Sequence, residues 1–176
     1  MSLFDITRTN VITADPNNPF QSIQTGEQQS RGFETDLFYQ PTNSALSVLV
    51  NYAYTKAEIT EDNAIPVGDQ LRAIPKHKGR LALSYELGQL YSGAVNMGLG
   101  VTLTSSRELT LPNTTTAAGS AIWDLQSSWR SNDWTLGLSV VNLTGHKGYE
   151  PYQYFGGQYV IPVQPRSIYF RLRRSF

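Results

Sequence analysis

Charged side chains recur at positions where a protein could pair an acid with a base. Each lies in a stretch where polar and apolar residues alternate, so each would point to the polar side of a strand. Charges that line a wet interior are the ordinary explanation of such a pattern, and we favour it over acid–base catalysis. The residues are Glu34, Asp36, Arg80, Glu86, Asp124 and Arg130.

The residue types of the sequence give little indication that the protein binds a metal ion or a cofactor. His77 and His146 are the two histidines of the chain; they lie in different predicted loops, and the chain has no cysteine. Metal-ligand spacing is therefore missing. The sequence also lacks a phosphate-binding loop and a dinucleotide-binding glycine pattern. We expect no catalytic residue, no metal site, no cofactor and no enzymatic activity.

One long connection, residues 145–166, concentrates aromatic side chains. Tyrosine and phenylalanine supply rigid apolar contact area, and tyrosine adds a polar hydroxyl group. This loop is therefore the candidate ligand-binding surface, with packing against neighbouring loops as the simpler alternative for each residue. The candidate residues are Tyr149, Tyr152, Tyr154, Phe155 and Tyr159.

Composition narrows the class of protein that could carry these residues. The 176 residues hold 14 basic and 14 acidic side chains, a balance that gives no reason to expect a nucleic-acid partner. No apolar run approaches the roughly 20 residues of a membrane helix. The first ten residues, MSLFDITRTN, lack the apolar core of a signal peptide.

Apolar residues recur at every second position along the whole chain, a period that predicts β-strands. In the first segment Phe4 and Ile6 share one face. No segment of similar length shows a helical period, so we expect an all-β protein. The eight predicted strands are residues 3–13, 32–39, 45–55, 79–87, 97–105, 122–130, 134–144 and 167–176.

The connections between these strands alternate between long and short without exception. Antiparallel strands whose long connections all lie at one end are typical of an up-and-down transmembrane β-barrel. Such a barrel turns its apolar faces to lipid and its polar faces to the interior. Trp129 and Trp134, on either side of the tight turn at 131–133, would then form part of an aromatic girdle at one membrane interface.

Six stretches, in order and spread over the chain, resemble the C-terminal part of TonB-dependent siderophore receptors. They include aromatic strand ends, a Pro-His segment before a strand, an Asn-Leu-Thr strand end and a closing strand that ends on Phe. The stretches are SRGFETDL (30–37), NYAYTKAEIT (51–60), VGDQLRAIPKHKGRLALSY (67–85), AIWDLQSSWR (121–130), WTLGLSVVNLTGHKGYE (134–150) and PRSIYFRLRRSF (165–176).

The resemblance implies a barrel of about 22 strands with an N-terminal plug, in the outer membrane of a Gram-negative bacterium. Such receptors bind a ferric siderophore at the cell surface, commonly with aromatic residues near the outer mouth. They import it with energy from the TonB complex. Residues 1–176 would be the C-terminal barrel segment without the plug. The chain would therefore be a fragment that is not functional alone, connected to the TonB complex only through the missing N-terminal part.

The same resemblance assigns a role to the last strand. Its apolar face would meet outer-membrane lipid and would be read by the barrel-assembly machinery. The residues of this assembly signal are Ile168, Phe170, Leu172 and Phe176. Arg174 departs from the family pattern, which has an apolar residue two positions before the final Phe; a long cation there can reach the headgroups.

Two other classes remain open from the residues alone. An eight-stranded barrel with a structural or adhesive role would need its first strand to pair with its last. A soluble sandwich or lipocalin-like carrier would need its apolar faces covered by protein.

Overall fold

The computed structural model describes residues 1–154 and 157–175, and within them every regular element is a β-strand. None of these residues belongs to a helix of the length and apolarity that a membrane crossing requires. The strands are β1 (Ser2–Asp15), β2 (Asn18–Tyr39), β3 (Leu46–Glu61), β4 (His77–Leu90), β5 (Gly93–Thr104), β6 (Arg107–Glu108), β7 (Thr116–Ala117), β8 (Ser120–Ser131), β9 (Trp134–Val141), β10 (Tyr149–Tyr154), β11 (Gly157–Pro162) and β12 (Ser167–Arg174).

Eight of these strands form one antiparallel sheet in the order β1-β2-β3-β4-β5-β8-β9-β12. Every neighbour in the sheet is also the next long strand in the sequence, so the up-and-down topology is confirmed. The two short hairpins lie inside long connections. β6 and β7 interrupt the connection from β5 to β8, and β10 and β11 interrupt the one from β9 to β12.

The strand register places apolar residues opposite one another across the sheet. Leu83 pairs with Leu99, Leu99 with Leu125, Leu125 with Val140, and Val140 with Ile168. Most of this band is open to the surroundings: Leu83 is 39% exposed and Ile168 is 58% exposed, whereas Val140 is buried between its larger neighbours. An apolar band that no protein covers is the pattern expected of a face that meets lipid.

The opposite face carries the charged Arg80 and Asp124 together with apolar residues such as Leu49, and it borders a trough of about 870 Å³. Small residues such as Ser84, Gly98, Gly100 and Ser139 line much of it. Because small side chains leave room, the sheet keeps an open interior surface here instead of a filled core.

The first strand presents its aromatic residue to the polar side. Phe4 pairs with Gly32 and Ile6 with Ser30, so they share one face as predicted. That face is the one that carries Glu34, whereas Leu3 lies with Phe33 on the apolar side. A Cβ atom on Gly32 would approach the Phe4 ring to 2.9 Å, so the glycine makes room for this aromatic side chain.

Several strands extend beyond their predicted bounds. The connection expected over residues 14–31 is mostly strand, because β1 and β2 continue as one long hairpin whose turn occupies residues 16 and 17. β4 and β5 likewise meet at a two-residue turn, Tyr91–Ser92, where both residues have positive φ. Polar residues dominate the extensions of β1 and β2, so the period-2 pattern does not predict strands there. In the extensions of β4 and β5, Gly88 and Gly93 interrupt the pattern.

The sheet is open. Within the described residues, β1 and β12 are its two edges and do not pair with each other. An autonomous eight-stranded barrel requires that pairing, so this arrangement does not support it. A sandwich is not supported either: no second sheet packs against the apolar band in the described part of the chain, and Phe170 is 83% exposed.

Candidate functional site

The charges of the polar face form a ladder across neighbouring strands. Asn51 donates a hydrogen bond to Asp36 at 2.5 Å. Arg80 donates to Thr102 at 2.8 Å and lies 3.5 Å from a carboxylate oxygen of Asp124. The side chains of the arginine and the aspartate are 38% and 21% exposed, so the ion pair is accessible to solvent on the polar face of the sheet. The pairing agrees with charges that line a lumen.

Gly100 explains how Arg80 reaches Asp124 across an intervening strand. It lies on β5 between β4, which carries the arginine, and β8, which carries the aspartate. A Cβ atom on Gly100 would stand 2.8 Å from the Arg80 Nη2 atom. The missing side chain therefore leaves the path that the guanidinium group follows.

The two histidines are used in structural contacts. The His77 ring nitrogen Nδ1 lies 2.7 Å from the Tyr52 hydroxyl group, and its ring centre is 5.3 Å from that of Tyr54. His146 is held through its backbone by Asn142. Among residues 1–154 and 157–175, no three histidine or carboxylate side chains are grouped as metal ligands.

The aromatic loop contains the β10–β11 hairpin, which divides the predicted residues between two faces. Tyr152 pairs directly with Tyr159, so their side chains share one face. Tyr149 pairs with Pro162 and lies on the other face. These three tyrosines are 62% (Tyr149), 46% (Tyr152) and 55% (Tyr159) exposed. The Tyr154 side chain and Phe155 lie outside the described part of the structure.

An arginine from the neighbouring loop lies against this hairpin. Arg107 on β6 is only 7% exposed, and its Nη2 atom is 4.0 Å from a carboxylate oxygen of Glu150 on β10. Its Nη1 atom is buried and has no hydrogen-bond partner among the residues that the structure describes. Nothing in the sequence pattern singled out Arg107, because burial of this loop depends on contacts between distant segments.

Asn142 joins the base of the aromatic loop to the barrel wall. It follows β9, is 1% exposed and has a φ of 52°. Its backbone N–H donates to Asp124, and its side chain bonds both to His146 and to the carbonyl oxygen of Gln164. Sequence analysis missed this role; an asparagine at a strand end, three residues before Gly145, is the turn signal that could have found it.

The neighbouring long loops are also held by buried hydrogen bonds. The Asn113 side chain bonds to both backbone groups of Gln70, accepting from its N–H at 2.7 Å and donating to its carbonyl oxygen at 3.0 Å. Its own N–H donates to Asp69 at 2.8 Å. The connections at 62–76 and 105–119 are thereby tied into one structure.

Asp62 ties the β1–β2 hairpin to the end of β3. One of its carboxylate oxygens accepts bonds from the Thr13 hydroxyl group and from the N–H groups of Ala64 and Ile65. Partial burial alone would raise the pKa of the Asp62 carboxyl group. The hydrogen bonds together outweigh that effect, and its pKa lies below the ordinary value of 3.8.

The closing strand has the two faces expected of it. Ile168, Phe170 and Leu172 are exposed on the apolar side, and the Phe176 of the predicted assembly signal lies outside the described residues. Arg174 interrupts the apolar side of this strand, because it lies two residues beyond Leu172 and so on the same side. Its guanidinium group lies 5.2 Å from the centre of the Trp134 ring. A cation stacked on an indole is stabilised at a membrane interface.

Comparison with known proteins decides the family. Residues 1–143 match the family model described as TonB dependent receptor-like, beta-barrel. The chain belongs to the TonB-dependent receptor β-barrel family. Members of this family are outer-membrane proteins of Gram-negative bacteria, so the apolar band is the lipid-facing surface and the trough is part of the barrel wall.

Individual relatives agree in sequence and in fold. The chain is 31% identical to the metal-pseudopaline receptor CntO of Pseudomonas aeruginosa over 183 aligned positions, which cover 100% of this chain and 25% of that protein. BauA, the ferric preacinetobactin receptor of Acinetobacter baumannii, has a similar structure with a TM-score of 0.86 at 20% identity; the match covers 99% of this chain and 26% of BauA.

The siderophore receptor PiuA of Acinetobacter baumannii gives a TM-score of 0.82 at 18% identity, over 98% of this chain and 25% of PiuA. The chain therefore spans about a quarter of the length of the relatives that it matches. All three relatives are named as receptors.

Proposed function

We propose that residues 1–176 form the C-terminal barrel segment of a receptor that takes up a ferric siderophore across the outer membrane, without catalysis or a resident cofactor. The observation that carries this proposal is the hairpin with Tyr152 opposite Tyr159 at the end of the sheet where all long connections lie. The receptors named above bind chelated metals. Chelates of this kind offer rigid, partly apolar surfaces that suit tyrosine.

The open sheet supports the domain assignment. A barrel wall without closure needs further strands on the free edges of β1 and β12, and the relatives are about four times as long as this chain. Contact with the TonB complex would then run through a plug outside residues 1–176. The assembly machinery would read the closing strand. Sequencing the gene upstream tests this, and the absence of in-frame barrel or plug sequence there would contradict it.

Ligand binding is tested with tyrosine substitutions made at the chromosomal locus. Cells are incubated with two probes, preacinetobactin loaded with radioactive iron and pseudopaline loaded with a radioactive metal ion. We expect wild-type cells to retain at least one probe. The double variant Tyr152→Ala, Tyr159→Ala should bind that probe about tenfold more weakly, because aromatic anchors dominate contact energy.

Tyr91→Ala is the matched control for this experiment. Tyr91 is 87% exposed and lies in the turn at the opposite end of the sheet. Its substitution should leave probe binding unchanged. Equal probe binding by the double variant and by wild-type cells would contradict the assignment of the hairpin as a ligand-binding surface.

A further inference from the structure

The base of the aromatic hairpin is connected to the barrel wall through one asparagine. Asn142 is the residue immediately after β9, and its side chain is nearly inaccessible, with 1% of its surface exposed. Its Nδ2 atom donates to the carbonyl oxygens of His146 at 2.8 Å and of Gln164 at 2.9 Å. Its Oδ1 atom accepts a bond from the N–H group of His146 at 2.8 Å.

These bonds reach both legs of the connection that carries the hairpin. His146 lies on the leg that leaves β9, and Gln164 lies on the leg that returns to β12. Directly above them, the N–H group of Val163 donates to the carbonyl oxygen of Gly148 at 3.0 Å, and the β10–β11 ladder begins one residue later with Tyr149 opposite Pro162. The asparagine side chain therefore acts as the lowest rung of the hairpin.

The same residue is fixed on the barrel side. Its N–H group donates to Asp124 Oδ1 at 3.0 Å, and the other carboxylate oxygen of Asp124 pairs with Arg80 on the lumen wall. The next residue, Leu143, donates its N–H to the carbonyl oxygen of Trp123 at 2.6 Å. Asn142 thus connects two adjacent barrel strands to both legs of the loop.

From this arrangement we infer that Asn142 is a positioning residue for the aromatic hairpin: its side chain sets the hairpin's orientation relative to the barrel wall. The inference rests on the proposed function, in which this hairpin contacts the metal chelate. A hairpin held in one orientation spares the ligand the cost of ordering it. A buried, fully bonded amide is well suited to that task, because its loss leaves backbone groups unpaired.

The positive φ of Asn142 offers a selective substitution. Glycine adopts a φ of 52° without strain, so Asn142→Gly keeps the backbone conformation and the bond to Asp124 while it removes the three side-chain bonds. Asn43→Gly is the matched control, since Asn43 has a φ of 58° in the short turn between β2 and β3 at the other end of the sheet. Asn142→Asp is the second variant, which keeps the acceptor for His146 and loses both donors.

The experiment measures the position of the hairpin directly. Residues 1–176 contain no cysteine, so Val160→Cys on β11 and Val67→Cys on the 62–76 loop can carry a pair of spin labels once any cysteine elsewhere in the receptor has been replaced by serine. The labelled protein is purified from outer membranes, without added chelate, and the distance distribution between the labels is recorded. Binding of the radioactive probe retained by wild-type cells is measured in parallel.

We expect Asn142→Gly and Asn142→Asp to broaden the distance distribution, while Asn43→Gly leaves it unchanged. Binding of the probe to cells, measured before uptake begins, should weaken by about tenfold in both Asn142 variants and should not change in Asn43→Gly. A distribution that stays narrow in both Asn142 variants would overturn the inference, whatever the binding result. Broadening with unchanged probe binding would uphold the positioning role and would instead overturn the proposed ligand contact of the hairpin.

Discussion

At the scale of single residues, glycines decide which long side chains can cross the strands. Gly100 clears the path of Arg80 to Asp124, and Gly32 lies under the carbonyl oxygen of Tyr54 and the ring of Phe4. The two sites differ in what a new methyl group would meet. At Gly100 it meets the far end of a flexible side chain, whereas at Gly32 it meets backbone that the sheet holds in place.

We therefore expect Gly32→Ala to be far more disruptive than Gly100→Ala. The Gly32 variant should lower the free energy of unfolding by about 3 kcal/mol or more, since strand pairing itself must shift. The Gly100 variant should lower the free energy of unfolding by about 1 kcal/mol or less, because it displaces Arg80 from its partly exposed ion pair with Asp124. Urea unfolding in lipid vesicles measures both, and equal losses would contradict this account.

The lowered pKa of the Asp62 carboxyl group predicts that the stability of the 62–65 segment depends on pH. Because the pKa of its carboxyl group is lower in the folded protein, the ionised group stabilises the fold above the ordinary carboxyl pKa of 3.8. That stabilisation is lost as the pH falls from there through the lower folded pKa. Proteolysis of the 62–65 segment should therefore accelerate in this acid range. In Asp62→Asn the acceleration should be absent, and the segment should be cleaved faster than in the wild type at neutral pH.

At the scale of elements, the membrane-crossing part of each strand was predictable and its extension was not. The predicted strands 79–87 and 122–130 agree with β4 and β8 within three residues at each end, because lipid selects apolar side chains on one face. The outer half of β2 is mostly polar, so the sequence pattern predicts a loop there. The end of β3 alternates between charged residues and the buried Ala57 and Ile59, but this stretch is too short and too charged for the pattern to extend the predicted strand to Glu61. The tyrosines of residues 145–166 predict an aromatic loop, but not the β10–β11 hairpin that it forms. The contacts of Asn142 and Arg107 depend on segments that are brought together only by folding.

The tie between two long loops can be tested through Asn113. Asn113→Ala removes the bonds to both backbone groups of Gln70 and leaves those groups buried in part. Hydrogen exchange at the Gln70 amide should become about tenfold faster or more, as expected for a lost buried bond. Exchange at Leu99, in the middle of the barrel wall, serves as the reference and should not change.

At the scale of the whole molecule, the open sheet is the dominant physical fact. β1 and β12 each present a row of backbone N–H and C=O groups that no strand among the described residues satisfies. In the hydrocarbon region each unsatisfied group costs several kcal/mol, so a barrel wall is stable in a bilayer only when its edges are closed. In water the same edges pair with other chains.

Residues 1–176 expressed alone should therefore not yield a monomeric closed barrel. We expect the refolded chain to associate through its edges, with no difference in gel mobility between heated and unheated samples. Light scattering and gel mobility in detergent provide the measurements. A compact monomer whose mobility changes on heating would show that β1 and β12 can pair, and would return the self-contained eight-stranded barrel as the better description. Adding strands that complete the wall, by expressing the intact receptor gene, should remove the association because it satisfies both edges at once.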